Sequence, residues 1–230
     1  MSFKQRIFYS SLGRKYVMAL TGVLLLVFLI AHMTGNLLVL SGPDAFNAYG
    51  HYLKTHPQLL WPMRIGLLLT FVVHIYLAIS LSLENNAARP QAYAFKNTVQ
   101  ATLTSRYMML TGTLTLTYLI YHLLHFTLGA VQPQYFSGVD GENRHDIYTM
   151  FIMGFRNPII YASYLVAQIN LVFHLKHGSR SVFQTMGWNQ DRFKGLINGF
   201  SLTYVTIIFV GFLLGPTLIV LNVIKLPGEM

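Results

Sequence analysis

The feature that most limits how this chain can fold is a series of five long apolar runs. They cover residues 16–40, 62–83, 107–130, 158–178 and 196–221. Each is close to or above the roughly 20 residues that an α-helix needs to cross about 30 Å of hydrocarbon. A helix also satisfies its own backbone in lipid, and the runs lack the alternation of barrel strands. We therefore predict an all-α membrane protein of one domain, residues 1–230, built as a bundle of five transmembrane helices.

The composition excludes a soluble protein and several kinds of metal site. Hydrophobic residues make up 53% of the chain and charged residues only 10%, against about 25% charged in a globular protein. The absence of cysteine rules out disulfides, a thiolate zinc site, an iron–sulfur cluster in this chain and covalent c-type haem. The chain has a net charge of +9. In a membrane protein such an excess of basic residues usually lies in the cytoplasmic loops, so we predict no nucleic-acid partner.

Basic residues are distributed unevenly between alternate connections. With the N-terminus inside, the outer connections contain five of the 16 Lys and Arg residues, and the inner side contains the other eleven. The positive-inside rule then predicts a cytoplasmic N-terminus and, after five crossings, a C-terminus outside. The inner set is Lys4, Arg6, Arg14, Lys15, Arg89, Lys96, Arg106, Lys176, Arg180, Arg192 and Lys194. Residues 147–151, before the fourth run, are expected to lie along the outer membrane surface or to form an ordinary loop.

Two histidines fall at the same depth in the outer half of the membrane. His32 lies 17 residues after Lys15 on the first run, about 25 Å from the inner surface at 1.5 Å per helical residue. His122 lies 16 residues after Arg106 on the third run, which also runs outward. An imidazole in lipid is costly without a partner, so each is by default a functional residue.

A second pair of histidines falls in the inner half. The second and fourth runs cross inward; His74 lies 12 residues after Pro62, and His174 lies 17 residues after Asn157. Each pair therefore brings two imidazoles from different helices to one level. Two such pairs could ligate two flat cofactors stacked across the membrane.

The first and third runs repeat each other. Residues 18–32 align without gaps to residues 108–122, and nine of the fifteen positions are identical, including a Thr-Gly pair ahead of the histidine. The glycines allow a bulky ring or a neighbouring helix to approach closely. His122 matches the repeat, whereas His125, one turn further on, does not. We therefore interpret His125 as a hydrogen-bonding group near the outer rim, directed at a propionate or a quinone.

Paired imidazoles fit haem chemistry better than the alternatives. Haem iron takes two axial histidines and is then left with no open position, which suits electron transfer. Without a Cys-x-x-Cys-His motif, the haem must be the non-covalent b type. A zinc or copper site would need three or four ligands at one point. A transporter with a histidine proton relay would usually add buried carboxylates, and none lies within the five runs.

The chain also resembles a known family. The resemblance is to the dihaem cytochrome b membrane-anchor subunit of succinate dehydrogenases and fumarate reductases, the succinate:quinone oxidoreductases. It covers all five runs, and its specific feature is the ordered set of four histidines on the first four. The residues that carry it are Ser11 to Lys15, Phe28 to Leu37, Asp44 to Asn47, Phe71 to His74, Thr111-Gly112 with His122, and Phe173-His174 with Gly178.

The resemblance implies the ligands, partners and location. It implies two haems b, the outer one ligated by His32 and His122 and the inner one by His74 and His174. It implies a flavoprotein subunit with FAD, an iron–sulfur subunit, and electron transfer to or from a membrane quinone, commonly menaquinone, in a bacterial cytoplasmic (inner) membrane. This chain itself would hold no flavin and no cluster.

One position departs from the family pattern. Some dihaem members have a carboxylate two residues before the fourth ligand, proposed to carry protons across the membrane. Here that residue is Val172. Transmembrane proton transfer and the direction of catalysis, succinate oxidation or fumarate reduction, are therefore left open.

Further contacts are expected from cations and polar groups near the membrane surfaces. Haem propionates are anionic, and a quinone needs an apolar slot with a few hydrogen-bonding groups at one end. A rival within redox chemistry is a dihaem quinol-oxidising anchor of another respiratory enzyme, of the nitrate reductase or hydrogenase type. The propionate candidates are Arg14, Lys15, Arg106 and Arg180, each also interpretable as a topogenic cation; the quinone candidates are Ser11, Arg14, Tyr16, Tyr121 and His125.

Overall fold

The computed structural model describes residues 10–88, 103–188 and 190–229. Within those ranges the chain is almost entirely helical and contains no strand, only an isolated bridge between Val139 and His145. Four of the predicted inner-side cations, Lys4, Arg6, Arg89 and Lys96, lie outside the described residues. The prediction of an all-α protein is confirmed for the part of the chain that is described.

The helices are numbered here in chain order. A 3₁₀ turn, Leu38–Ser41, extends α1, and a π-helical turn, Leu123–Thr127, extends α5. The bounds are Ser11–Leu37 (α1), Pro43–Thr55 (α2), Pro57–Ala87 (α3), Leu103–Arg106 (α4), Met108–His122 (α5), Pro133–Phe136 (α6), Ile147–Arg156 (α7), Pro158–Thr185 (α8) and Asp191–Val220 (α9).

Four helices are long and apolar enough to cross a membrane. They are α1 with its 3₁₀ extension, α3, α8 and α9, and they make the chain a multi-pass membrane protein. The third predicted span coincides with α5, whose α-helical part has 15 residues before the π turn. That part is shorter than the roughly 20 residues needed for a crossing. The five-helix count and the direction of the chain therefore stay predictions.

The long helices extend beyond the apolar runs that predicted them. The first begins at Ser11, because the Ser10 Oγ accepts a hydrogen bond from the Gly13 backbone N–H at 3.0 Å. The second begins at Pro57, since proline suits a first helical position. The helix of the fourth predicted span, α8, continues to Thr185, beyond the predicted end at residue 178. Hydropathy marks the lipid-facing part of a helix, and the backbone bonds continue through polar residues on either side.

Two shorter helices pack at the end of the bundle where α1 ends; we call this the outer end, and the opposite one the inner end, after the predicted orientation. The α7 segment, whose first residues were left open between a surface helix and a loop, is a helix with a buried face. Its Phe151 and Ile152 join a core with Val39 and with Phe46 of α2. The connection before α7 therefore folds back onto the ends of the long helices.

A polar network fixes this outer layer. The side chain of Asn47 is 1% exposed; its Nδ2 donates to Asp140 and to Asp146, each at 3.1 Å, and its Oδ1 accepts from the Tyr148 N–H at 3.0 Å. Arg144 Nε donates to Asp140 at 2.8 Å. Burial raises the pKa of Asp140, but the hydrogen bonds from Arg144 and its neighbours outweigh burial and lower that pKa to about 2.

Four helices close a ring, and a fifth packs outside it. The α1 helix packs against α3 and α8, α5 packs against α8, and a smaller contact joins α3 to α5. This order puts α1 and α5 at opposite corners, and α3 and α8 at the other two. The α9 helix lies against α1 and α8; Tyr204 Oη donates to the Leu26 carbonyl at 2.8 Å, and the Ser201 and Ser179 hydroxyls are 2.8 Å apart.

Candidate functional site: paired histidines inside the helix ring

Two imidazoles meet from opposite corners at the outer level. His32 lies on α1, and His122 is the last residue of α5. Their ring centroids are 5.8 Å apart, and the ring planes are at 83°. Phe28 stacks on His32 with centroids 5.3 Å apart. The two helices therefore bring these imidazoles to the same level and close to each other.

At the inner level, His74 of α3 is oriented by a threonine on α1. Its Nδ1 lies 3.1 Å from Thr21 Oγ1. The Thr21 hydroxyl donates to the Met18 carbonyl at 2.9 Å, so it accepts from the histidine. The His74 Nδ1 therefore carries the proton, and Nε2 of the neutral ring keeps its lone pair.

His174 of α8 is oriented in the same way by the matching threonine on α5. Its Nδ1 lies 3.3 Å from Thr111 Oγ1, and that hydroxyl donates to the Met108 carbonyl at 3.0 Å. The hydroxyl again acts as an acceptor. The Nε2 of His174 is therefore also unprotonated, with its lone pair available.

The glycine after each threonine lies beside the same ring. A Cβ at Gly22 would lie 3.9 Å from His74 Cε1, and a Cβ at Gly112 would lie 3.3 Å from His174 Cε1. Each Thr-Gly pair of the internal repeat thus holds a histidine from the neighbouring helix. We call these two sites the Thr-Gly contacts.

The Thr-Gly contacts also give the spacing of the two levels. His74 lies beside Gly22, and His32 follows ten residues later on the same helix. At 1.5 Å per residue the levels are about 15 Å apart. The same interval separates Gly112 from His122 on α5.

This donor set fits two groups that each take two axial imidazoles. Both inner rings have Nδ1 hydrogen-bonded and Nε2 bare, and the His122 Nδ1 lies 3.4 Å from Tyr164 Oη. The His32 Nε2 lies 3.4 Å from the Asn36 amide, which also donates to the His32 carbonyl at 2.8 Å. Within the described ranges, no three His, Asp or Glu side chains converge on one point.

The remaining inner-side candidates lie apart from the histidine pairs. Arg14 forms a two-pronged ion pair with Glu84 of α3. Ser11, Lys15 and Tyr16 are exposed on the first turns of α1, where Tyr16 lines an apolar groove of about 280 Å³. Arg106, at the end of α4, is exposed, and Arg180 on α8 is half-buried.

At the outer level, protein groups engage His125. Its side chain is 3% exposed; Nδ1 lies 3.0 Å from Tyr164 Oη, and Nε2 lies 2.9 Å from Gln132 Oε1. Tyr121 packs against this ring with centroids 6.0 Å apart. In this arrangement neither ring nitrogen of His125 is left for a propionate or a quinone.

Sequence reasoning missed the partners that orient the histidines. The glycines of the Thr-Gly pairs were interpreted as allowing a bulky ring or a neighbouring helix to approach, the threonines were given no role, and Tyr164 and Gln132 were not singled out. A signal was available for Tyr164, since a polar residue on the fourth span at the depth of His122 needs a partner in lipid. Comparisons of this chain with protein family models, with curated proteins and with solved structures found no match.

Proposed function

We propose that this chain is the membrane-anchor dihaem cytochrome b subunit of a succinate dehydrogenase or fumarate reductase. It transfers electrons between an iron–sulfur subunit and a membrane quinone, with menaquinone as the expected species. It crosses a bacterial cytoplasmic membrane five times, with its N-terminus inside. The observation that supports this most is the approach of His32 and His122 from opposite corners of the four-helix ring. Their imidazole centroids are 5.8 Å apart.

The four histidines have distinct places in this proposal. His32 and His122 hold the outer haem b, and His74 and His174 hold the inner one. A haem b held by each pair would supply one-electron transfer. The two levels are about 15 Å apart, so the four histidines would hold the two groups in different halves of the membrane.

The threonines of the Thr-Gly contacts act on the inner ligands. The hydroxyl oxygens of Thr21 and Thr111 accept hydrogen bonds from the Nδ1–H groups of His74 and His174. Hydrogen bonds of this kind, made to the nitrogen that does not ligate, fix the tautomer and ring orientation and increase the basicity of the ligating nitrogen. The glycines beside them let each ring lie close to the neighbouring backbone.

The dicarboxylate chemistry belongs to the partners in this proposal. The chain has no cysteine to ligate a cluster, so a flavoprotein with FAD and an iron–sulfur subunit supply that part of the reaction. The basic inner side would steer their docking by charge complementarity. Lys15, Arg106 and Arg180 remain candidates for inner propionates, whereas Arg14 would first have to leave Glu84.

Haem content tests the proposal directly. We expect two haems b per chain by pyridine haemochrome and covalent flavin in the co-purified partner. His122→Ala should lose one haem, and His125→Ala should keep both, because protein groups already engage both of its nitrogens. One haem or none in the wild-type chain would contradict the pairing; a molybdenum or nickel centre in the partner would favour the other class of respiratory enzyme.

A further inference from the structure

A chain of hydrogen bonds leads from the outer histidine pair to the connection after α5. Tyr164 Oη lies 3.4 Å from His122 Nδ1 and 3.0 Å from His125 Nδ1. His125 Nε2 lies 2.9 Å from Gln132 Oε1. One phenol and one imidazole thus link a proposed haem ligand to an amide ten residues further along the chain.

The donors and acceptors of these hydrogen bonds follow from the orientation of the Gln132 amide. Gln132 Oε1 can only accept, so His125 Nε2 carries a proton and Nδ1 of the neutral ring is an acceptor. The Tyr164 hydroxyl must then donate to His125 Nδ1, which leaves its oxygen to accept from His122. His122 therefore carries its proton on Nδ1, and its Nε2 is bare.

The opposite amide orientation would reverse every bond. If the Gln132 NH₂ group faced His125 Nε2, then His125 Nδ1 would donate to Tyr164, and Tyr164 would donate to His122 Nδ1. His122 would then carry its proton on Nε2, which is the wrong tautomer for a metal ligand. The orientation of one amide thus decides which nitrogen of His122 is available.

Aromatic packing holds the intermediate rings in place. Phe126 stacks on His125 with centroids 3.9 Å apart, and Phe155 and Tyr118 meet Tyr164 edge-on at 4.9 and 5.1 Å. A Cβ at Gly154 would touch Phe126 at 3.2 Å. The rings of His125 and Tyr164 cannot turn without displacing their neighbours. Each therefore keeps its hydrogen-bond partners, and the bonds stay in the same order from Gln132 to His122.

We propose that Tyr164, His125 and Gln132 are positioning residues that fix the tautomer of His122 and thereby set the properties of the outer site alone. The inner histidines depend instead on threonine hydroxyls committed to their own helices. What the His122 Nε2 binds rests on the proposed function; the tautomer of His122 does not.

The tautomer is tested on haem-free protein by ¹⁵N spectroscopy of its histidines, with the His122 signal assigned by its loss in His122→Ala. We expect the Nδ1–H form in the wild-type chain, a mixture of tautomers in Tyr164→Phe, and no change in Tyr121→Phe. Tyr121 is the matched control because it packs on Tyr164 and His125 through its ring. A wild-type Nε2–H form, or an unchanged His122 signal in Tyr164→Phe, would overturn the proposal.

A second variant tests the same proposal independently, in case the protein with Tyr164→Phe does not fold. Gln132 is half-buried at the outer end. Gln132→Leu removes the terminal acceptor and should give the same mixture, whereas Gln132→Glu offers only acceptor oxygens and should keep the wild-type tautomer. An unchanged His122 signal in Gln132→Leu would refute the assignment of direction to the amide.

Redox titration of the haem-loaded protein separates this proposal from the proposed function. Loss of the Tyr164 acceptor reduces the basicity of the ligand, so Tyr164→Phe should raise the midpoint potential of one haem and leave the other unchanged. Equal shifts of both haems, or none, would contradict a role at the outer site. A protein that binds no haem yet shows the expected tautomers would refute the function and keep the positioning role.

Discussion

Substitution of Gly112 by alanine should weaken one haem site selectively. The new Cβ would lie 3.3 Å from His174 Cε1 and 3.7 Å from its Nδ1, so the ring must retreat by a few tenths of an ångström. The Thr111–His174 bond is already 3.3 Å long, beyond the 2.7–3.2 Å typical of N–H···O bonds, and the retreat would break it. Loss of such an outer-shell bond costs about 10- to 100-fold in metal affinity, so we expect at least tenfold weaker binding, about 1.4 kcal/mol.

The internal repeat supplies the matched control. A Cβ at Gly22 would lie 3.9 Å from both His74 Cε1 and Val182 Cγ2, which is ordinary van der Waals contact. Gly22→Ala should therefore keep both sites. The assay is absorbance titration of haem into haem-free protein in detergent, which resolves two sites by affinity. Equal affinities in the two variants, whether both normal or both weakened, would refute the assignment of the glycines to the histidine rings.

Three further predictions concern single side chains. Thr111→Val should weaken the same inner site about tenfold with Thr111→Ser restoring it, as measured by the same titration. Asn47→Ala leaves the buried Tyr148 N–H without its acceptor and should lower the free energy of unfolding by about 2–4 kcal/mol, measured by denaturant unfolding in detergent. The pKa of Asp140 is about 2 in the folded protein and about 3.9 in an unfolded chain. Its stabilisation is therefore complete above about pH 4 and is lost as the pH falls towards 2; acid-unfolding curves of Asp140→Asn should lack that step.

The sequence was sufficient for the long helices because lipid leaves few choices for an apolar run of this length. It was less informative at their ends. Lys176 and His177 look like the end of the fourth span, yet α8 continues to Thr185. Helix α2 was missed because its apolar residues are too few to be recognised as a span, although Pro43 at its first position and Asp44 in its first turn are usual helix-start signals.

The depth of each histidine in the membrane, calculated from residue spacing, grouped the four histidines into two pairs. It could not predict which side chains hydrogen-bond to them. That His74 would meet Thr21, and His174 would meet Thr111, depends on which helices are neighbours in the ring. A single sequence contains spacing along each helix and no rotation between helices. For the same reason Tyr164, which lies on a different helix from His122, was not connected to it.

The Thr-Gly contacts show that the repeated unit is a pair of helices rather than one helix. In the first half, α1 provides an outer histidine and the contact for the inner histidine of α3; in the second half, α5 and α8 do the same. The outer histidines are 90 residues apart and the inner ones 100, so the second half has ten more residues between its two histidines, a stretch that contains α7.

This division explains why the helix without a histidine lies where it does. The contacts that orient His74, His174 and His122 each lie within one half, whereas each proposed imidazole pair takes one ring from each half. The pairs therefore depend on how the two halves dock, which no bond within a half can fix. The α9 helix bonds to both, through Tyr204 to α1 and through Ser201 to α8. It therefore adds to the direct packing of α1 against α8, which also joins the two halves.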